Sequence, residues 1–172
     1  MSVIKVWRKK YMKLDVPLIS QRPELPTGCE ITAVTMMLQY KGFNVDKVDL
    51  ANLMPRHEEK PELGYVGDPF TDGGWTVYPP ALLQLVSNVT GSSEDLTGCS
   101  NSVIEEYVTH QKPVVVWVSP IHGFTVHALV LTGFDNENYY YNDCWSNEKD
   151  VKIEKEAFNQ LWENQNRRAI AY

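Results

Sequence analysis

The sequence predicts an α+β fold, with helices first and antiparallel strands afterwards. Three observations carry that reading. Apolar Ile31, Val34, Met37 and Leu38 recur at helical spacing after Cys29. Pro113 to Ser119 (PVVVWVS) is a near-continuous apolar run of the kind a buried strand requires. His127 to Phe134 and Asn138 to Asp143 flank a short polar turn and read as an antiparallel hairpin.

In chain order, Leu14 to Ile19 is a short apolar run containing Pro17, suited to an edge strand or an extended entry segment. Arg22 to Gly28 is a rigid connection, since Pro23, Pro26 and Gly28 exclude helix. An amphipathic helix should begin at about Cys29 and end at Gly42. A short helix over Asp46 to Met54 is stopped by Pro55. Residues 55–79 form a long loop carrying Tyr65, Phe70, Trp75 and Tyr78, and loops of that length are often functional. Helices follow from Pro80 to about Asn88, and after Ser100 with Glu105 and Glu106 in its early turns. A last helix over Glu156 to Glu163 precedes a terminal strand, Arg168 to Tyr172.

The bulk composition narrows the function. A chain of 172 residues, 43% apolar and 22% charged, suits one folded domain spanning residues 1–172. A net charge of −6, with no basic tract beyond Arg8, Lys9 and Lys10, argues against a nucleic-acid partner. No apolar run approaches the ~20 residues of a membrane helix. Met1 to Lys13 mixes basic and apolar side chains and does not read as a secretory signal. Cys29, Cys99 and Cys144 are too few for a disulfide scaffold. No CxxC, HExxH or paired-His motif predicts a metal, and no glycine-rich phosphate loop predicts a nucleotide cofactor.

Four residues combine into one chemistry. Cys29 sits at a predicted helix N-terminus, where unpaired amides and the helix dipole favour a thiolate nucleophile. His127 opens a buried strand, from which its ring can face that helix end as a base. His122 is its rival, while His57 and His110 lie among polar neighbours. Asp143 ends the partner strand. A loop of Asp135, Asn136 and Glu137 would set it opposite Leu129, on the His127 face, about 7–8 Å away on the diagonal. A two-residue loop would put the pair on opposite faces unless a bulge intervened. The Gln21 amide could join the Cys29 N–H as an oxyanion hole. Taken alone, Cys29 reads as a buried packing thiol, Asp143 as a turn residue and Gln21 as an exposed loop residue.

The run VPLISQRPELPTGCEITAVTMML, with KPVVVWV, HALVLTGFDNENYYYND and Trp145, resembles the bacteriocin-leader (double-glycine) peptidase-like family of papain-like cysteine peptidases. The resemblance runs from Leu14 to about Trp145. It implies a papain-like fold and a cysteine peptidase acting on a peptide substrate without a cofactor. By that likeness Cys29 is the nucleophile, His127 the base and acid, Asp143 the orienting acid and Gln21 the oxyanion donor. Family members often have proline after the aspartate, where this chain has Cys144. That thiol reads as packing, as a redox partner for Cys29 or as an oxidation hazard. Export being frequent in the family, an extracellular or envelope location is the expectation. Trp75 and Tyr78 are expected to contact substrate, and Trp145 to shield the His/Asp pair. The rival functions are an amidase or acyltransferase on the same machinery, and a non-catalytic binding module.

Overall fold

The structure, a computed structural model, describes residues 11–172, so the Arg8, Lys9, Lys10 cluster and most of the Met1 to Lys13 reading lie outside it. A two-residue strand, β1 (Met12–Lys13), enters the fold, and Leu14 to Ile19 then runs on as a connecting segment outside the strands. Helix α1 (Cys29–Lys41) begins at Cys29, as expected, and Gly42 closes it in the left-handed region at φ 106°. It is not amphipathic. Every residue from Cys29 to Leu38 is buried, because the helix is covered on all sides. Its polar members are satisfied locally: the Thr32 and Thr35 hydroxyls donate to the Gly28 and Ile31 carbonyls at 2.8 and 2.7 Å.

Helix α2 (Lys47–Leu53) is capped by Asp46, which accepts from the Val48 and Asp49 amides. The long loop is tied down by a parallel pair, β2 (Arg56–His57) with β3 (Tyr65–Val66). Helix α3 (Pro79–Thr90) starts on two prolines, where their missing N–H groups cost nothing, and stops at Gly91. Then come β4 (Glu94–Asp95), α4 (Asn101–Thr109), β5 (Val114–Val118), β6 (His127–Phe134), β7 (Asn138–Asp143), β8 (Glu148–Glu154), α5 (Lys155–Glu163) and β9 (Ala169–Ala171).

The sheet has the order β4-β9-β5-β6-β7-β8, with β1 on the far end of β6, and its pairings are antiparallel. Strands β5 and β6 are buried throughout, and α1 packs across them. That contact places the start of α1 against the start of β6. Strand β8 was not expected from the sequence. Its EKDVKIE pattern is charged and half-exposed because it is the sheet edge, where charge discourages further pairing.

The β6–β7 register decides where Asp143 points. At the turn, Phe134 pairs with Tyr139 and Gly133 with Tyr140, which if continued would set Asp143 on the face away from His127. A bulge at Thr132 moves the register by one, so Leu131 pairs with Tyr141 and Val130 with Asn142. Asp143 thereby regains the His127 face, through a bulge rather than through the three-residue loop expected. Gly133 beside the bulge is required on packing grounds. A Cβ there would stand 2.5 Å from the Met12 carbonyl oxygen and push β1 away.

Candidate active site

Cys29, His127 and Gln21 line one cavity of about 210 Å³, with Asp72, Trp75, Phe124 and Val126 among its other walls. Cys29 comes from the first residue of α1, His127 from the first residue of β6, and Gln21 from the rigid segment before α1. Asp143 lies behind His127 at the end of β7. Its Oδ1 accepts from His127 Nε2 at 2.9 Å, and Oδ2 accepts from His122 Nε2 at 2.6 Å. A carboxylate accepts only, so the proton on the His127 ring sits on Nε2 and leaves Nδ1 as the basic nitrogen. The Trp145 amide also donates to Asp143 Oδ1, at 2.9 Å.

Burial pushes the Asp143 carboxyl up, but the hydrogen bond and charge of His127, then His122 and the Trp145 amide, outweigh it. The carboxyl is held well below its ordinary range. His122 therefore does not compete with His127 for the cavity; it shares the same carboxylate from the outer side, with its side chain 29% exposed against 1% for His127. The three groups bring ligand-type atoms within 4.8 Å of one another. Both histidines already satisfy the carboxylate directly, which accounts for the cluster without an ion. His57 and His110 stay outside the site. The first accepts from the Glu59 and Lys60 amides, and the second bonds the Glu106 carbonyl.

The Cys29 thiol differs from expectation. Burial pushes it well above its ordinary value, and the charges of Glu30 and Cys144 add to that, while the Ala128 amide opposes them. Desolvation thus opposes the thiolate that a helix N-terminus favours and pushes the group toward the thiol. Glu30, the next residue, is fully buried. Burial raises its carboxyl to about 7, opposed first by the Thr76 hydroxyl bonded to Oε1 and then by the polarity of its own amide, the Cys29 thiol and the Val77 amide nearby.

Gln21 is buried and held at both ends. Its Nε2 donates to the Leu25 and Pro26 carbonyls at 3.2 and 2.9 Å, and its Oε1 accepts from the Cys144 thiol at 3.2 Å. Cys144 also points its sulfur at the Cys29 carbonyl, 3.7 Å away, and all three cysteines are free thiols. Trp75 lines the cavity. Tyr78 does not: it precedes α3, and its ring lies 3.7 Å under the Arg168 guanidinium, because Pro79 turns the chain into the helix there. Phe124, which carried no sequence signal, stacks on His127 at 5.8 Å and meets Trp145 edge-on at 4.8 Å. Trp145 thus backs the His127 environment through Phe124, and the Arg22 guanidinium lies over its ring at 4.1 Å.

The fold, an antiparallel sheet with α1 packed across it, is that of the papain-like peptidases. The chain belongs to the peptidase C39-like family, whose model matches residues 13–170. It is similar to a candidate C39-like peptidase from Bacillus anthracis, known from a crystal structure, at 32% identity and a TM-score of 0.88, covering 95% of this chain and 97% of that one. It is also 29% identical over 188 residues to the uncharacterized protein YvpB of Bacillus subtilis (strain 168), covering 91% of this chain and 74% of that protein. At 20% identity and a TM-score of 0.57, the fold is shared with a double-glycine-motif protease from an AMS/PCAT transporter in complex with the leader peptide. That match covers 93% of this chain and 91% of the other.

Proposed function

We propose that this protein hydrolyses amide bonds in peptides through a thioester on Cys29. The observation that carries the reading is the His127 ring, fixed by Asp143 in the wall of the cavity that also holds Cys29 and Gln21. Cys29, His127 and Gln21 line that cavity with Asp143 behind the ring, which supports the roles of nucleophile, base, amide donor and orienting acid in acyl transfer.

The substrate carbonyl enters beside Cys29. His127 Nδ1 takes the thiol proton as sulfur attacks the carbonyl carbon, since burial favours the protonated sulfur. The oxyanion forms against the Cys29 amide and Gln21. Gln21 Nε2 rests on the Leu25 and Pro26 carbonyls, and it joins the oxyanion by turning one of those two N–H donors to it. His127 then protonates the departing amine and the thioester remains. Water enters, gives a proton to His127 and attacks the thioester, releasing a carboxylic acid and restoring the thiol. Asp143 stabilises the imidazolium at both stages. A peptide is the favoured substrate class because the family is one of peptidases and a protease of the same fold has been seen with a leader peptide. The exposed Trp75 offers an apolar wall for a side chain next to the scissile bond.

The test is digestion of a diverse peptide mixture, read as new termini by mass spectrometry. New termini with wild type and none with Cys29→Ala support the reading. Termini that persist in the mutant, or products formed only when an acceptor amine is supplied, would refute peptide hydrolysis.

A further inference from the structure

The reaction above makes no use of Glu30, yet this carboxyl is fully buried directly beside the nucleophile. Its Oε1 accepts from the Thr76 hydroxyl, while Oε2 is buried without a hydrogen-bond partner among the described residues. None of the ion pairs among the described residues includes it. The groups that face it are the Cys29 thiol from α1, the Val77 amide, the Tyr65 phenol from β3 and the Cys144 thiol after β7. Arg56 lies 5.5 Å from the Tyr65 ring and donates to the Ala51 carbonyl at 3.2 Å.

A buried carboxylate with an unpaired oxygen and no cation beside it is costly, whereas a carboxylic acid there needs only an acceptor for one O–H. With Oε1 taken up by Thr76, the Cys29 sulfur, which interacts with the same carboxyl, can accept that O–H. We propose that Glu30 acts in its neutral form as a positioning residue that donates a hydrogen bond to the Cys29 sulfur and stabilises the negative charge it acquires during attack. This rests on Cys29 being the nucleophile.

The proton count follows. With Glu30 neutral, loss of the thiol proton to His127 leaves S⁻ facing an O–H. With Glu30 ionised, the thiol donates to the carboxylate, and removing its proton places two negative charges side by side. Burial lifts the Glu30 carboxyl to about 7, so the switch between these states falls in the neutral range. Thr76 adjoins the cavity residue Trp75, and its bond to Glu30 joins the nucleophile helix to that wall.

The test compares the rate of iodoacetamide alkylation at Cys29 in Glu30→Gln and wild type across pH, with each cysteine read separately by mass spectrometry. Glutamine keeps a neutral donor at all pH values. The mutant and wild type are expected to react alike at pH 5.5 and to diverge to about tenfold in favour of the mutant by pH 8.5, the effect of about one pKa unit. A pH-independent ratio would overturn the proposal, because packing damage alone changes rate without following this titration. Should Glu30→Gln not fold, carboxyl-carbon NMR of wild type decides. Titration of Glu30 near 7 supports the proposal, and titration at the ordinary carboxylate value overturns it. Neither readout requires turnover. Failure of the peptidase reading would appear separately, as Cys29 chemistry that does not depend on His127.

Discussion

Asp143 Oδ1 meets His127 Nε2 at 2.9 Å across a hairpin whose register is corrected by a bulge at Thr132. Without that extra residue the carboxylate would face the other side of the sheet, so the candidate site depends on a backbone irregularity further along the strand that His127 opens. The carboxylate is further occupied by His122 at 2.6 Å, and holds both rings by their Nε2 atoms.

Replacing Asp143 by Asn should preserve the geometry but remove the charge that fixes the His127 tautomer. Steady-state kinetics should show kcat reduced by about 10²- to 10⁴-fold. The same change alters acid stability. The folded carboxyl titrates below its ordinary 3.8, so its stabilising contribution is complete above that value and fades as pH falls below it. Acid titrations followed by circular dichroism should therefore show wild type losing stability below about pH 4 more steeply than Asp143→Asn.

The two histidines are distinguishable. His127→Ala removes base and acid together and should lower kcat by at least about 10²-fold. His122→Ala leaves Asp143 bound to His127 and to the Trp145 amide, so kcat should fall by less than about tenfold. Equal losses in the two variants would assign the base wrongly.

Much of this site was legible in the chain. The helix beginning at Cys29, the buried strand opened by His127 and the partner strand ended by Asp143 all follow from periodicity and turn signals. What was hidden depends on distant packing. The bulge at Thr132 has one local signal, Gly133 inside the strand pattern, but that glycine marks close backbone approach as readily as a bulge and does not set the register. Strand β8 is a charged edge and lacks the apolar alternation that marks a half-buried strand. Glu30 reads as an ordinary acid in the first turn of a helix, and only the cover from Thr76, Tyr65 and Cys144 turns it into a buried group. The same burial raises the Cys29 thiol, where the helix N-terminus alone argued the reverse.

Gln21 owes its orientation to the Leu25 and Pro26 carbonyls and to the Cys144 thiol. Gln21→Ala should lower kcat by about 10²- to 10³-fold with KM nearly unchanged, the pattern for a group that binds only the oxyanion. A rise in KM with kcat intact would make Gln21 a ground-state contact instead.

The cavity wall around Trp75 depends on Gly74. A Cβ there would collide with the Thr27 and Tyr65 side chains and stand 2.6 Å from the Asp68 carbonyl oxygen. Gly74→Ala should cost about 1–3 kcal/mol in denaturant melts, through overpacking. Trp75→Ala should leave stability within about 0.5 kcal/mol, since the ring is 48% exposed, and raise KM.

The central claim is covalent chemistry at Cys29 driven by His127. The most direct measurement is intact-mass and peptide-level mass spectrometry after rapid acid quench with a peptide p-nitrophenyl ester, for wild type, Cys29→Ala and His127→Ala. The account predicts a single acyl adduct on Cys29 in wild type, no adduct in Cys29→Ala, and formation slowed by at least about 10²-fold in His127→Ala. Acylation of Cys99 or Cys144 instead, or an adduct on Cys29 that forms equally fast without His127, would contradict it.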